Sequence, residues 1–358
     1  MGSRLNCHGH LLPLPEQIPT WMREAGIFWI TEDRQFMRQG EWRRPITDSN
    51  YFLEEKLVWM DQHRIDHEVI LNLSQLYCNG MDCECTQRVL RFQNDFNAGV
   101  QHRYPERFTA GFVVQVAYLE DALIELRRCV EELDLQLLCL PTHFLTQGGE
   151  WRSVAHPDIE PLFALANEYE LALEIHPYDG PRMINLADQF WRFHLVWMCA
   201  QTADTYHLYT TLGYHERFPK LRVAFAHGNQ YGQVNVGRRR QGYYGRPDLF
   251  PDAADPETAV GMNNLFFDTL VHDVYAFRLL IDRQGAPQVI AGLDDPYPLG
   301  EIEGVADSYP GKVIDQAVER AIISSQDRDR IWWDNGLRWL AGARVENFLE
   351  RIKPKSKI

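Results

Sequence analysis

The feature that most constrains this 358-residue chain is a regular alternation of short apolar segments with amphipathic ones. Eight segments are short and mostly apolar, as parallel strands covered on both faces should be. They span residues 5–8, 68–73, 110–116, 135–140, 171–175, 222–226, 265–268 and 288–293. Helix-like patterns lie between them, most clearly at residues 86–103, 119–133, 157–169 and 274–282. Eight such alternations predict an α/β fold of the (β/α)8 barrel type.

Histidine and aspartate residues stand where several predicted strands end. His8 and His10 end the first strand, His176 the fifth, His227 the sixth and Asp294 the eighth. The carboxyl ends of all strands in a closed barrel meet around one opening. An open, doubly wound sheet would not bring strands one, five, six and eight to one point. The positions of these residues therefore support the barrel and predict that the five side chains converge.

The same residues predict a metal site. His-x-His on a strand places His8 and His10 on one face, because side chains alternate with a period of two. With His176 and Asp294 they suit one divalent cation with an open position for water or substrate. Zinc is the first candidate, and Mn²⁺ and Fe²⁺ also suit such ligands. His227 could be a fourth nitrogen ligand or an unligated acid/base beside the metal. Without a glycine-rich phosphate-binding loop, we expect no organic cofactor.

Three regions exceed a minimal barrel. Residues 11–52 hold several prolines and tryptophans before any helical pattern, so we expect an insertion after strand one that lies over the barrel mouth. Residues 177–215 form a long excursion with a helical pattern at 185–212, which suggests a packed lid or an interface. The tail, residues 328–358, is patterned as helices that pack back on the barrel. Since we find no internal repeat or linker, residues 1–358 are predicted to form a single domain.

Composition limits the partners and the compartment. A net charge of −14 argues against nucleic acid as a partner. No apolar stretch approaches the ~20 residues of a membrane span, and the N-terminus lacks the apolar region of a signal peptide, so we expect a cytoplasmic protein without a membrane partner. The seven cysteines are odd in number and scattered, which favours reduced thiols. Cys78, Cys83 and Cys85 lie close together, but no second pair has the spacing of a four-ligand zinc site.

Several longer strings resemble the amidohydrolase superfamily and, within it, the group of 2-amino-3-carboxymuconate 6-semialdehyde decarboxylases. The resemblance covers nearly the whole chain. The strings that carry it lie at residues 217–223 running into 226–228, at 292–294 running into 296–301, and at 104–108 and 267–273.

The resemblance implies one zinc ion held by His8, His10, His176 and Asp294 together with a water, while His227 acts as acid/base. The sequence supports a single metal independently. Binuclear members bridge their two ions with a carboxylated lysine from a middle strand, and no lysine occurs from residue 57 to 219.

The resemblance also implies recognition of a substrate carboxylate by arginine. Arg44 aligns with the substrate arginine of the family. Arg238 aligns with a second arginine that a neighbouring subunit donates across a dimer interface, which implies a homodimer. A small-molecule carboxylic acid is then the expected partner of the site.

The activity implied is non-oxidative decarboxylation of an unsaturated or aromatic carboxylic acid, such as an aminocarboxymuconate semialdehyde or a hydroxy- or aminobenzoate. It would use metal-bound water and a histidine acid/base. A hydrolase or hydratase of the same superfamily, acting on a lactone, an amide or an unsaturated acid, is the closest alternative. A non-catalytic barrel that kept only the fold is an alternative from another class.

The pocket departs from the family pattern. Tyr178 replaces a tryptophan after His-Pro, and Asn229 and Gln230 replace two glycines beside His227, so Tyr178 and Asn229 are expected to contact substrate. Asp295 stands where the family has tyrosine. This second carboxylate could repel an anionic substrate or contact a ligand histidine.

Overall fold

The computed structural model describes residues 2–47, 49–178 and 189–353, and its main sheet is a barrel of eight parallel strands. In chain order the strands are β1 (Leu5–Gly9), β2 (Trp29–Ile30), β3 (Phe36–Gln39), β4 (Trp42–Pro45), β5 (His67–Ile70), β6 (Phe108–Val113), β7 (Leu137–Pro141), β8 (His143–Leu145), β9 (Trp151–Ser153), β10 (Ala172–His176), β11 (Arg222–Phe225), β12 (Leu265–Asp268) and β13 (Val289–Ile290). The barrel order is β1-β5-β6-β7-β10-β11-β12-β13.

The barrel closes between its first and last strands. The Cys7 N–H donates to the Ala291 carbonyl at 2.7 Å, and a parallel bridge joins Gly9 to Asp295 beyond the end of β13. All eight predicted strands are present in the predicted order, so the (β/α)8 barrel is confirmed. The last strand is shorter than predicted, because Ala286–Gln288 forms a 3₁₀ turn and the chain leaves regular pairing after Ile290.

Helices surround the barrel and extend beyond it. They are α1 (Thr20–Glu24), α2 (Leu53–His63), α3 (Cys83–Arg103), α4 (Leu119–Glu131), α5 (Glu160–Glu168), α6 (Met198–Thr211), α7 (Tyr214–Arg217), α8 (Gln230–Gly245), α9 (Val274–Gln284), α10 (Lys312–Glu319), α11 (Ser325–Asp329), α12 (Asn335–Ala341) and α13 (Val345–Ile352). Helix α3 begins three residues before the predicted start, because the Asp82 side chain accepts a hydrogen bond from the Cys85 N–H and caps the first turn.

The C-terminal helices close the amino-terminal end of the barrel. Trp339 of α12 is fully buried against residues at the strand starts, and its Nε1–H donates to the Arg222 carbonyl at 3.2 Å. Arg222 Nε in turn donates to the Trp339 carbonyl at 2.6 Å. The tail therefore packs on the barrel as its pattern predicts, and residues 354–358 lie outside the described part of the chain.

The segment between β1 and α2 contains more regular structure than its sequence suggested. It forms α1 and a three-stranded antiparallel sheet in the order β2-β3-β4. Its apolar side chains pack with Leu73 and Tyr297, which follow the carboxyl ends of β5 and β13. The segment thus lies against the end of the barrel that carries the predicted ligands.

The excursion after His176 leads into α6 through a π-helical turn at Phe193–Trp197. Part of the predicted helix at 185–212 lies outside the described residues. Each of the seven cysteines is a free thiol, which confirms that prediction. Among the described residues no helix has the length and apolar character needed to cross a membrane.

Candidate metal centre and active site

Four side chains converge at the carboxyl end of the barrel. His8, His10, His176 and Asp294 are all buried, and each offers a ligand atom within 4.8 Å of the others. Asp294 Oδ1 lies 3.1 Å from His10 Nε2 and 3.5 Å from His8 Nε2. The ring centroids of His8 and His176 are 5.2 Å apart. The strand ends therefore bring together the four residues that the sequence predicted as ligands.

The chemistry of these atoms fits a divalent cation. His8 Nε2, both ring nitrogens of His10 and of His176, and Asp294 Oδ1 are buried without a hydrogen-bond partner. An unpartnered buried polar atom is costly, so a cluster of six needs an explanation. Three imidazoles and one carboxylate are the ligand types that zinc, manganese and iron(II) accept.

The backbone fixes the ligands through two adjoining strand ends. β1 carries His8 and His10, and its register against β5 shifts between Asn6 and Gly9. Asp294 has a left-handed backbone conformation (φ 53°), and its N–H donates to the His8 carbonyl at 2.7 Å. A left-handed aspartate is uncommon and is held here by the neighbouring strand.

Asp268, at the end of β12, contacts the candidate ligand His8, and sequence reasoning missed it. Its Oδ2 lies 2.8 Å from His8 Nδ1, and its two oxygens accept the backbone N–H groups of His227 and Gly228, each at 2.9 Å. Burial alone would raise the pKa of Asp268, but the hydrogen bond with His8 lowers it below its ordinary value. A carboxylate on Nδ1 leaves Nε2 of His8 facing the metal position. The one available signal was an aspartate at a strand end.

His227 lies beside the four ligands rather than among them. Its ring stacks on His8 at 5.5 Å, and its Nε2 is 3.9 Å from Asp294 Oδ2. Burial lowers the pKa of His227 to about 4, so the imidazole is neutral at neutral pH and able to accept a proton. His227 is therefore not one of the four residues whose ligand atoms converge.

A cavity of about 200 Å³ opens onto this cluster. His176, His227 and Asp294 form one wall, and the predicted substrate residues Arg44 and Tyr178 also line it. The Arg44 guanidinium lies 4.5 Å from the centre of the Tyr297 ring, whose hydroxyl donates to Gln75 Oε1 at 3.2 Å. An arginine stacked in this way presents a fixed cation to a bound anion.

Comparison with known proteins agrees with this geometry. The sequence profile of the amidohydrolase family matches residues 6–341. The chain belongs to the amidohydrolase family. It is 25% identical over 349 residues to 2-amino-3-carboxymuconate-6-semialdehyde decarboxylase of Dictyostelium discoideum, covering 94% of this chain and 91% of that one. The resemblance inferred from the sequence is thereby confirmed.

Two solved structures share the fold of this amidohydrolase. The crystal structure of 5-carboxyvanillate decarboxylase from Sphingomonas paucimobilis has a TM-score of 0.74 at 19% identity, covering 95% of this chain and 99% of that one. Dihydroxybenzoic acid decarboxylase from Polaromonas sp. JS666, solved with manganese and 2-nitroresorcinol, has a TM-score of 0.71 at 17% identity, covering 97% and 99%.

Two predicted substrate residues lie away from the cavity of this amidohydrolase. Asn229 adopts a left-handed backbone conformation (φ 47°), and its side chain lies against the first turn of α8. The side chain is so close to Gly232 that any Cβ at that position would overlap it. The next residue, Gln230, lines the cavity instead. Arg238 lies on an exposed face of α8 and does not line the cavity of its own chain. His272 does line it, although sequence reasoning did not select that residue.

Asp295 plays neither of the roles expected from the sequence. Its side chain is fully buried and does not line the cavity. It accepts hydrogen bonds from Asn6 at 2.6 Å and from Lys56. The second carboxylate therefore points away from the substrate and binds a lysine rather than a ligand histidine.

Proposed function

We propose that this amidohydrolase is a metal-dependent, non-oxidative decarboxylase of an unsaturated or aromatic carboxylic acid. The observation that carries the proposal is one cavity that joins a buried His/Asp ligand cluster, a neutral His227 and the cation of Arg44. The relative from Dictyostelium discoideum and both structural neighbours are named as decarboxylases. Candidate substrates are acids like aminocarboxymuconate semialdehyde and hydroxy- or aminobenzoates.

His8, His10, His176 and Asp294 would hold one metal ion. When bound, a divalent ion lowers the pKa of water toward neutrality and polarises a substrate oxygen. Zinc is our first candidate, and the manganese in the Polaromonas neighbour supports Mn²⁺ as a second. Elemental analysis of protein purified without chelators, followed by removal and reloading of each metal, tests this choice. Full activity in the metal-free protein would contradict it.

The side chains of the cavity can carry the reaction. Arg44 binds the substrate carboxylate and fixes its position, which lowers the entropic part of the barrier. His227 takes a proton from water in the cavity and gives it to the carbon that bears the carboxylate, and a proton from solvent then neutralises the remaining hydroxide. The bond from that carbon to the carboxylate then breaks, carbon dioxide leaves, and the electron pair restores the double bond or the ring. Met198, Leu270 and Leu299 line the cavity and limit the solvation of the carboxylate.

Product analysis with a carboxyl-labelled acid tests the reaction type. The metal-loaded enzyme is incubated with ¹³C-carboxyl forms of candidate muconate and benzoate acids. We expect labelled carbon dioxide and a product that lacks the carboxyl group. A product that gains water, with no gas, would identify a hydrolase or hydratase instead. A protein that neither binds metal nor turns over any acid would fit a non-catalytic barrel.

We also propose a homodimer in which Arg238 reaches the cavity of the neighbouring subunit. One exposed face of α8 carries Arg238 together with the apolar side chains of Tyr231 and Val234, which are 40% and 70% exposed. An apolar face around an arginine is typical of a protein interface.

Subunit complementation tests this arrangement. Arg44→Ala and Arg238→Ala should each turn over little substrate at concentrations near the wild-type KM, because each removes one cation from every site. A mixture of the two variants should recover activity, since one cavity of a mixed dimer then contains both arginines. Failure to recover activity in a verified mixed dimer, or a monomer by light scattering, would refute the shared site.

A further inference from the structure

Lys56 of α2 is buried in a place where lysine is rarely found. Its side chain, like those of Glu68 and Asp295, has no exposed surface. Lys56 Nζ lies 3.0 Å from Glu68 Oε1 and contacts Asp295 Oδ2. Buried charges are retained only where they are closely paired, because their desolvation is costly. The ion cluster therefore needs a reason that lies beyond the stability of α2.

The cluster is connected to both strand ends that carry metal ligands. Asn6 Nδ2 donates to Asp295 Oδ1 at 2.6 Å. Asn6 Oδ1 accepts the backbone N–H groups of His8 and Leu293, each at 3.1 Å. The His10 N–H donates to the Asp295 carbonyl at 2.8 Å. Hydrogen bonds of Asn6 and Asp295 thus connect the backbone of His8 and His10 to the segment after β13 that contains Asp294.

The fit around the cluster is close. A Cβ on Gly9 would overlap the Glu68 carboxylate, and the register shift of β1 against β5 falls between Asn6 and Gly9. A shift of this kind re-aims the residues that follow it. Glu68 therefore occupies the space beside the irregular part of β1, just before His10.

We propose that Lys56 is a positioning residue for the metal centre. By pairing with Asp295 and Glu68, it holds the two strand ends at the separation that lets His8, His10 and Asp294 bind one ion. Neither Lys56 nor Asp295 lines the cavity, so Lys56 acts through the ligands and not on substrate. The inference rests on the metal site of the proposed function but not on the reaction type.

Metal affinity, measured without substrate by competition with a chelator, tests the proposal. The variants are Lys56→Met, Asp295→Asn and the double variant. Asp295→Asn keeps the acceptor for Asn6 and leaves Lys56 paired with Glu68, so it should fold. We expect each single variant to weaken zinc or manganese binding about 10–100-fold, as changes around metal ligands commonly do. The double variant should bind metal no more weakly than Lys56→Met does, because both changes break the same contact between Lys56 and Asp295.

A matched control separates positioning from general stability. Arg128 pairs with Glu125 through two hydrogen bonds, at 2.9 and 2.7 Å, on α4 and away from the metal centre. Arg128→Met should lower the unfolding temperature and leave metal affinity unchanged. Wild-type metal affinity in folded Asp295→Asn would overturn the proposal. The proposal would also be overturned if the losses of metal affinity in the two single variants multiplied in the double variant. An equal loss of metal affinity in Arg128→Met would overturn it as well. A wild-type protein that binds metal but releases no carbon dioxide refutes only the decarboxylase.

Discussion

Metal binding should release about one proton at neutral pH, and the structure assigns that proton to His8. Burial alone would lower the pKa of His8, but the hydrogen bond with Asp268 and the nearby carboxylate of Asp294 raise the pKa well above its ordinary value. We therefore expect both ring nitrogens of His8 to carry protons in the metal-free protein at neutral pH. Nε2 must lose its proton before it can bind a cation.

The other three ligands need no deprotonation at neutral pH. Burial lowers the pKa of His10 and of His176, so both imidazoles are already neutral. Burial alone would raise the pKa of Asp294, but the close imidazoles of His10 and His8 hold it well below its ordinary value. Because one proton competes with the metal, affinity should rise about tenfold, or ~1.4 kcal/mol, per pH unit while His8 is protonated. Above the pKa of His8 the dependence should vanish.

Calorimetry measures this proton directly. Zinc is titrated into the metal-free protein at pH 7 in buffers of different ionisation enthalpy, and the slope of the observed heat gives the number of protons released. Asp268→Asn is the matched variant, because without the carboxylate on Nδ1 the pKa of His8 falls and the release should approach zero. No release in the wild-type protein, or an affinity independent of pH between 6 and 8, would refute the assignment.

Four further variants test separate parts of the site and the fold. His227→Asn should keep the bound metal but lower kcat about 10²–10⁴-fold, as loss of an acid/base group does, whereas Asp294→Ala should lose metal and activity together. Full turnover by metal-loaded His227→Asn would exclude the acid/base role. Arg44→Met should raise KM more than it lowers kcat, since a hydrogen bond to a charged group contributes about 1.5–3 kcal/mol, and an unchanged KM would place the carboxylate elsewhere. Trp339→Ala should lower the free energy of unfolding by about 3–5 kcal/mol in denaturant titrations, and an unchanged midpoint would show that the tail does not support the barrel.

The barrel and its ligand cluster could be predicted because both follow from local patterns and one rule of topology. Short apolar segments gave the strands, and the closed barrel then forces the residues after those strands, such as His8 and His176, to the same end. Asp294 followed in the same way. The small sheet β2-β4 could not be predicted, since strands of two to four residues are too short to show a period.

The residues that support the ligands could not be predicted from the sequence. Asp268 meets His8 across 260 positions, and Lys56 meets Asp295 across 239. Such pairings depend on the completed barrel and leave no local signal. The backbone turn at Asn229 is similar, because its left-handed conformation, and not its residue type, removes the amide from the cavity.

The positions of the adjacent residues Asp294 and Asp295 explain how the proposed anionic substrate would be attracted to an acidic protein. Asp294 faces the metal position, while Asp295 is buried against Lys56 on the other side of the strand end. Asp268 and Asp294 together balance the charge of a divalent ion once His8 is neutral. With that ion bound, Arg44, which forms no ion pair among the described residues, would leave the cavity with a net positive charge, although the whole chain carries −14. At separations within about 10 Å this local charge outweighs distant, screened surface carboxylates.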